Sequence, residues 1–489
     1  MKTQHKKTRG LRRLRPTQAL MSLSATCGNS SIFISISVVV VCIVLAYLFL
    51  ASLNSFLLQL PAFLVLCAHI VIALSVLVWL ADGRVTALPA QLDTKHYVVN
   101  GFFIISAALF LRLLFIARMP ELSDDIFRYL WDGLQLRMGH NPYSHAPAAL
   151  IPTQQSLAEL QTLINHPDLV TIYPPVAQLI FVLSSGSLVG MKGIFILFDL
   201  GNCVFILLLL RLLQHHPAWL CVYALHPLAV LESSASGHVD VVAVFFILAA
   251  IYFSLKPVTH ESERVFGLAT GAALGLAIMT KVFPLIFAPL LFIQLPRRAR
   301  AAFLLALSVV SVGVCIPFWP ELRNGIHTLH LYAQHWEFSG FAFRILRHWT
   351  ESGQNARILL GGSFCLIFGW QWLRLYAFHA HTNNRCAPPF VGACMYITLA
   401  FLLLTPTLHP WYALYLLAFI PLAPSLASFS AGITLSWAVL LSYQVAATRV
   451  MSGIWQESTL LSFYVFAAPV SALCITLLLA RRRNRRWHT

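Results

Sequence analysis

Apolar segments of roughly 20 residues, enough for a helix to cross a bilayer, follow one another along almost the whole chain. Hydrophobic residues make up 58% of the 489 residues and charged residues only 10%, whereas soluble domains contain about 25% charged residues. The sequence therefore predicts an all-α polytopic membrane protein.

Fifteen apolar segments can be distinguished: 32–51, 61–80, 97–117, 174–190, 193–213, 218–233, 238–255, 265–280, 283–295, 301–319, 358–378, 390–405, 410–425, 428–448 and 461–480. Clusters of Lys and Arg before the first segment and after the last favour a cytoplasmic location for both ends, so the number of crossings is even and about 13 to 14 transmembrane helices are expected. Either 265–295 is one long helix broken near Lys281 and Pro284, or 174–190 lies along the membrane or re-enters it. We favour the second alternative, because it places the basic residues of three further loops on the cytoplasmic side.

The formal net charge of +16 raises the question of nucleic-acid binding. Twelve of the basic residues flank the apolar part at its two ends, where they determine topology and attract anionic lipid. We therefore predict the lipid bilayer, and no nucleic acid, as a partner. The ten cysteines show no metal-ligand spacing. No metal or other cofactor is predicted, although the sequence leaves open whether a divalent ion takes part.

The first long polar break, residues 118–173, carries six of the 17 acidic residues. Ser123 or Asp124 is placed to cap a helix that begins here. Apolar and polar residues separate onto two faces, which predicts a helix at the membrane surface with its polar face toward water. At least one carboxylate of Asp124 and Asp125 should be ionised and able to accept a proton from a hydroxyl group. The alternative is that both only cap the helix and pair with Arg128.

Polar residues interrupt four later apolar segments. They are Tyr173-Pro174-Pro175, Gly237-His238-Val239-Asp240, Thr280-Lys281-Val282 and His409-Pro410-Trp411-Tyr412. Each has a structural explanation of its own: a snorkelling Lys281, a packing role for His238, or a helix kink at Pro410. All four interruptions can lie on the same side of the membrane as residues 118–173. This shared location favours one functional site.

The ordered set formed by residues 123–143 and these four interruptions resembles the bacterial branch of the GT-C superfamily of integral-membrane glycosyltransferases, over about residues 97–480. Within that superfamily it is most similar to mannosyltransferases that use a polyprenyl-phosphate sugar. The resemblance implies inversion by direct displacement, with a catalytic Asp at the start of the first long external loop. Asp125 matches that position best, through Asp125-Ile126-Phe127-Arg128-Tyr129, and Asp124 is the alternate.

The resemblance also implies residues that hold the substrates. Lys281 is the first candidate for the donor phosphate, and His238, His409 and Arg128 are further candidates. The candidate substrate-binding residues are Asp132, Tyr143, Tyr173, Asp240, Trp411 and Tyr412. An aromatic belt at the membrane interface would explain the aromatic members of this set equally well.

The same resemblance divides the chain into regions. A basic cytoplasmic tail, 1–31, precedes two additional transmembrane helices and a cytoplasmic loop, 32–96. The catalytic transmembrane domain, 97–480, includes the acidic external loop 118–173 and a second external loop, 320–357. A basic cytoplasmic tail, 481–489, follows.

The expected function is transfer of a sugar, mannose in the first instance, from a polyprenyl-phosphate donor to a lipid or glycan acceptor outside the bacterial inner membrane. The cytoplasmic loops are too short to hold a nucleotide sugar, and the sequence contains no Walker loop or Rossmann glycine pattern. The alternative is a membrane transporter or a flippase for lipid-linked sugars. Transporters commonly contain internal repeats, and none is visible in this sequence.

Overall fold

A computed structural model of the protein describes residues 37–85, 94–152, 154–256, 259, 261–382 and 387–485. In this part of the chain no β-strand forms, and seven helices are long and apolar enough to cross a membrane. Six shorter apolar helices of 10–17 residues accompany them. The prediction of an all-α, multi-pass membrane protein is confirmed. The predicted tail 1–31, residues 86–93 and residues 486–489 lie outside the described residues.

The helices of the described residues are, in chain order, α1 (Ser37–Ser52), α2 (Leu60–Val85), α3 (Thr94–Leu113), α4 (Asp125–Arg137), α5 (Gln155–Thr162), α6 (Pro175–Phe181), α7 (Leu188–Leu212), α8 (Cys221–Ala224), α9 (Pro227–Leu231), α10 (Asp240–Leu255), α11 (Glu263–Ile278), α12 (Ala288–Gln294), α13 (Arg297–Gly313), α14 (Leu322–His335), α15 (Phe341–Thr350), α16 (Gly353–Thr382), α17 (Ala387–Leu404), α18 (Ala413–Phe419), α19 (Leu426–Ala438), α20 (Gln444–Ser452) and α21 (Thr459–Arg485). The predicted second external loop, 320–357, contains α14 and α15, and α21 continues into the predicted tail 481–489.

Helices α11 and α13 run parallel and in close contact. A Cβ atom on Gly267 would lie 2.4 Å from the Ala299 carbonyl oxygen, and one on Gly271 would lie 2.2 Å from that of Phe303. Contact points that advance together along both helices require parallel helices, and the small residues let the backbones approach. The chain must therefore cross back between them, which it does through the apolar stretch Phe283–Gln294. This geometry agrees with two crossings here, the alternative favoured from the sequence.

The segment predicted to be irregular, 174–190, is also short. Helix α6 continues as a 3₁₀ turn to Ser184, and the left-handed residues Ser185 and Gly186 end it before α7 begins. Ten residues, Pro175–Ser184, are fewer than the roughly 17 needed to span a bilayer. The placement of segment 174–190 relative to the membrane stays a prediction.

The polar face of α4 is buried, so the prediction of a surface helix with its polar face toward water is wrong. Arg128, Asp132 and Gln135 on that face are all buried. Residues that follow in the chain fold over them and supply hydrogen-bond partners: Gln178 Nε2 donates to Asp132 Oδ2 at 3.2 Å. Because these bonds offset the cost of removing polar groups from water, the helix is enclosed on both faces.

The α1–α2 connection is tied to the start of the acidic loop. Glu121 accepts hydrogen bonds from Ser55 Oγ at 2.6 Å and from the Phe56 backbone at 2.9 Å. Arg118 donates to the Leu53 carbonyl oxygen at 2.8 Å and pairs with Glu121. The first two helices therefore help to position the segment that leads into α4.

Helices α3 and α7 are joined by an enclosed ion pair. Arg112 Nε donates to Asp199 Oδ2 at 2.7 Å, and both side chains are fully buried. Tyr223 donates its hydroxyl proton to Asp199 Oδ1 at 2.5 Å, and Asn202 donates to the Tyr223 oxygen at 3.0 Å. We call these four residues the Asp199 cluster.

Candidate active site

A cavity of about 1360 Å³ lies between the acidic loop, the break after α11 and the segment that precedes α18. Most of its lining is apolar, and a few polar groups converge on it, as in ligand-binding pockets generally. The predicted site residues that line it are Asp124, Asp125, Arg128, Tyr173, Lys281, His409, Trp411 and Tyr412. The structure thus brings together residues from the acidic loop and from three of the four polar interruptions.

Of the two predicted capping residues at the start of α4, Ser123 accepts a hydrogen bond from the helix end and the Asp124 side chain does not. Asp124 occupies the N-cap position with φ −101° and ψ 0°, and its side chain makes no capping hydrogen bond. The Asp125 backbone N–H donates to Ser123 Oγ at 3.3 Å instead. Because Ser123 accepts the hydrogen bond from the helix end, both carboxylates are available to other partners.

Those partners are neutral. Asn165 Nδ2 donates to Asp124 Oδ1 at 2.7 Å and to Asp125 Oδ1 at 2.8 Å. The Tyr173 hydroxyl donates to Asp125 Oδ2 at 3.4 Å. Burial and the neighbouring charge of Asp125 raise the pKa of the Asp124 carboxyl above its ordinary value. The pair therefore carries negative charge into the cavity without a directly bonded cation.

Arg128 pairs with Asp132 and not with the acidic pair. Its Nε donates to Asp132 Oδ1 at 2.9 Å, and its Nη1 donates to the Leu169 carbonyl oxygen at 3.0 Å. Asp132 is buried behind the cavity wall and fixes Arg128. Tyr143 is also buried and donates to the Tyr173 carbonyl oxygen at 2.5 Å. Neither residue lines the cavity, and their contact with substrate stays a prediction.

Lys281 lines the cavity as predicted and is paired with Asp240. Its Nζ lies 2.8 and 2.7 Å from the two carboxylate oxygens of Asp240 and 4.7 Å from the centre of the Tyr412 ring. Asp240 is completely buried, whereas the Lys281 side chain is 20% exposed. Asp240 therefore positions the ammonium group and does not line the cavity, and its role in substrate binding stays a prediction.

Aromatic rings stack along the wall opposite the break after α11. The His409 ring is parallel to Phe338 at 4.6 Å and to Trp411 at 4.5 Å, and His238 stacks on Trp411 at 3.8 Å. His238 is fully buried, with Nδ1 2.7 Å from Glu232 Oε2. It lies behind Trp411 and outside the cavity lining, where it supports the Trp411 ring, and its contact with the donor phosphate stays a prediction.

His409 differs from His238 in reaching the cavity. Burial lowers the pKa of the His409 imidazole to about 3. The ring is therefore neutral near pH 7 and offers one N–H donor without a positive charge.

Sequence reasoning missed three residues that line the cavity: Asn165, Tyr332 and Arg449. The polar turn Asn165-His166-Pro167-Asp168 was visible in the sequence, but nothing in it indicates a partner 40 residues earlier. Tyr332 on α14 shares a hydrogen bond of 2.8 Å with the Tyr412 hydroxyl. Arg449 is an exposed cation at the end of α20.

No group of three or more His, Cys, Asp or Glu side chains is placed to hold a metal ion among the residues that the structure describes. The nearest approach to such a group is the pair Asp124 and Asp125, which is bridged by an amide.

Comparison with known proteins gives one match. No curated protein matches the sequence, and no solved structure matches the fold. Residues 171–406 match the family model of GT87, glycosyltransferase family 87. The matched stretch includes Tyr173 and Lys281, begins after the acidic pair and ends shortly before His409. On a chain built to cross the membrane many times, this match indicates a membrane glycosyltransferase.

Proposed function

We propose that the protein is an inverting glycosyltransferase that moves a sugar, mannose in the first instance, from a polyprenyl-phosphate donor to a lipid or glycan acceptor. The observation that carries the proposal is that a proton acceptor and a cation line the same cavity. The acceptor is Asp125, whose hydrogen-bond partners are neutral, and the cation is Lys281. The match to a glycosyltransferase family supports the transfer reaction. We assign the cavity to the extracytoplasmic face of a bacterial inner membrane, with both termini cytoplasmic.

In this proposal Asp125 is the general base. It accepts the proton of the acceptor hydroxyl while the hydroxyl oxygen attacks the anomeric carbon on the face opposite the phosphate. The bond between the anomeric carbon and the phosphate oxygen breaks, and polyprenyl phosphate leaves with the electron pair. A single displacement inverts the anomeric configuration. Proton transfer to a positioned base accelerates such steps by about 10²- to 10⁴-fold.

Departure of the phosphate needs hydrogen-bond donors and positive charge. An ammonium group has three donors, and Asp240 accepts two from Lys281, so one is left for a phosphate oxygen. Neutral His409 contributes an N–H donor from the aromatic wall. Arg449 adds a further positive charge to the cavity lining, near enough to Asp124 to lower the pKa of that carboxyl.

The remaining walls fit a lipid-carried donor better than a nucleotide sugar. Phe283, Ile286, Phe401 and Leu402 line the cavity, and apolar surfaces of this kind accommodate an isoprenoid chain by burial from water. The described residues form one helical assembly without a separate soluble domain for a nucleotide.

Reconstituted protein supplies the test. Proteoliposomes are incubated with polyprenyl-phosphate mannose labelled in the sugar, and in parallel with the glucose and arabinose analogues, together with a bacterial lipid and glycan extract. We expect labelled product of inverted configuration from the mannose donor, and none from GDP-mannose. Product formed only from the nucleotide sugar would contradict the proposed donor.

A transport assay on the same proteoliposomes addresses the alternative function. Movement of the intact labelled donor between leaflets, without any transferred sugar, would identify a flippase and overturn the transferase. We expect transfer of the label to acceptor, and no protein-dependent movement of intact donor.

A further inference from the structure

A single side-chain amide bridges the two carboxylates at the start of α4. Asn165 Nδ2 lies 2.7 Å from Asp124 Oδ1 and 2.8 Å from Asp125 Oδ1. An amide nitrogen carries two protons, so each carboxylate receives one. If the amide were turned over, its oxygen would face the two carboxylate oxygens without a proton to share. The orientation with Nδ2 toward the carboxylates is therefore the correct one.

The neighbours of Asn165 hold the amide in place from both sides. Ile164 is buried in an apolar cluster with Trp131 and Leu157, which attaches this loop to α4. On the other side, the His166 ring packs edge to face against Trp336 at 4.7 Å. Since its position is supported by packing on α4 and beside α14, the amide is preorganised before substrate binds.

We propose that Asn165 is a positioning residue for the sugar-transfer reaction, holding Asp124 and Asp125 side by side so that Asp125 presents its second oxygen, Oδ2, to the acceptor hydroxyl. This inference rests on the proposed role of Asp125 as base. Asn165 occupies one oxygen of Asp125, and the contact of the other oxygen with Tyr173 is long, at 3.4 Å. A hydroxyl group that enters the cavity can therefore replace it.

The bridge also affects how the pair holds protons. Two neighbouring carboxylates resist becoming charged together, whereas hydrogen bonds donated to the charged forms favour ionisation. Burial and the charge of Asp125 raise the pKa of Asp124, and the hydrogen bond from Asn165 lowers it. Removal of Asn165 should therefore shift ionisation of Asp124 to higher pH.

The other titratable and charged groups around the pair lie on several elements. They are Glu121, Arg128, Tyr129, His166, Tyr173, Asp240, Lys281, Tyr332, Glu337, His409, Tyr412, Tyr415, Tyr443 and Arg449. Burial raises the pKa of the Tyr173 hydroxyl well above its usual range and that of Tyr332 to about 12. Neither phenol therefore changes charge between pH 4 and pH 8.

The test compares Asn165→Ala with Gln155→Ala, which removes an exposed amide from the same loop. We expect Asn165→Ala to lower kcat by about 10- to 100-fold, because the base is no longer oriented, and to leave the donor KM unchanged. The acidic limb of its kcat/KM profile should move up by about one pH unit, because two hydrogen bonds to the charged form are lost. Each protein is also measured with His166→Phe, which keeps a ring against Trp336 and removes the imidazole.

Asn165→Gln restores an amide and should recover part of kcat. Unchanged kcat and an unchanged acidic limb in Asn165→Ala would overturn the inference, as would an equal loss in Gln155→Ala.

A second measurement separates this inference from the proposed function. Infrared titration of the carboxyl C=O stretch in nanodiscs, with Asp124→Asn to assign the band, reports protonation without any substrate. We expect Asn165→Ala to move the midpoint to higher pH, and an unchanged midpoint would overturn the bridge. If wild-type protein transfers no sugar, the proposed function fails while this titration still tests the carboxylate pair.

Discussion

Two ion pairs inside the helical assembly have similar chemistry and different surroundings. In the Asp199 cluster, Arg112 and Asp199 are both completely buried, and Tyr223 and Asn202 complete the network. In the second pair, Asp240 is buried but Lys281 is 20% exposed and lines the cavity. An enclosed pair can only hold helices together, whereas a pair with one exposed member can offer that member to a ligand. Asp124 and Asp125 also line the cavity, so they too can be offered to a ligand.

The largest effect should come from removing the proposed base. Asp125→Asn keeps the size of the side chain and its contact with Asn165, but takes away the proton acceptor. We expect kcat to fall by about 10²- to 10⁴-fold, with donor affinity and thermal unfolding close to wild type. Asp168→Asn, an exposed change in the same loop, is the control. Wild-type turnover in Asp125→Asn would remove this residue as the base.

The matched change in the enclosed region should affect stability instead. Asp199→Asn leaves the Arg112 guanidinium buried without its counter-charge, which costs about 3 to 5 kcal/mol for a buried pair. Denaturation in mixed micelles measures the free energy of unfolding, and the fraction that remains folded should keep wild-type kcat. An intact protein with reduced kcat would mean that the enclosed pair also serves the reaction.

An intermediate effect is expected at the cavity-lining pair. Lys281→Met should raise the donor KM about tenfold, as expected for one charge-assisted hydrogen bond of about 1.5 kcal/mol, and should also destabilise the fold because Asp240 is left unpaired. The double variant Lys281→Met/Asp240→Asn should recover stability without recovering KM. Recovery of both would show that Lys281 only neutralises Asp240.

The smallest effect should follow from Tyr332→Phe. This change removes the hydrogen bond between α14 and the Tyr412 hydroxyl, worth about 0.5 to 1.5 kcal/mol, and leaves the ring packing in place. We expect a less than tenfold change in kcat/KM. Tyr376→Phe, on an exposed part of α16, is the control. A loss as large as that of Asp125→Asn would place Tyr332 among the groups that contact the reacting atoms.

Much of the membrane architecture could be predicted because it depends on local composition. The apolar helices follow from how many consecutive residues can be buried in lipid. The start of α4 was also predictable, since residues with capping side chains precede an amphipathic pattern. Only the choice between Ser123 and Asp124 as cap needed the structure.

The site was predicted less completely. Asp132 and Asp240 were expected at the substrate from the family resemblance, and the structure shows each of them paired with a cation that lines the cavity. Asn165, in a polar turn, and Arg449, at the end of α20, were overlooked because neither residue type stands out among its sequence neighbours. Their importance comes from partners and positions that are distant in sequence.

The sequence by itself determined that this protein is a helical membrane protein with an acidic pair at the start of a helix, because hydrophobicity and helix capping act over a few turns of chain. The tertiary structure alone decided which charged groups are enclosed and which remain open to the cavity. Residues far apart in the chain, such as Arg112 and Asp199 or Asn165 and Asp125, meet only when helices pack. Whether a charged side chain is neutralised or remains available for chemistry depends on these tertiary contacts, and not on its sequence neighbours.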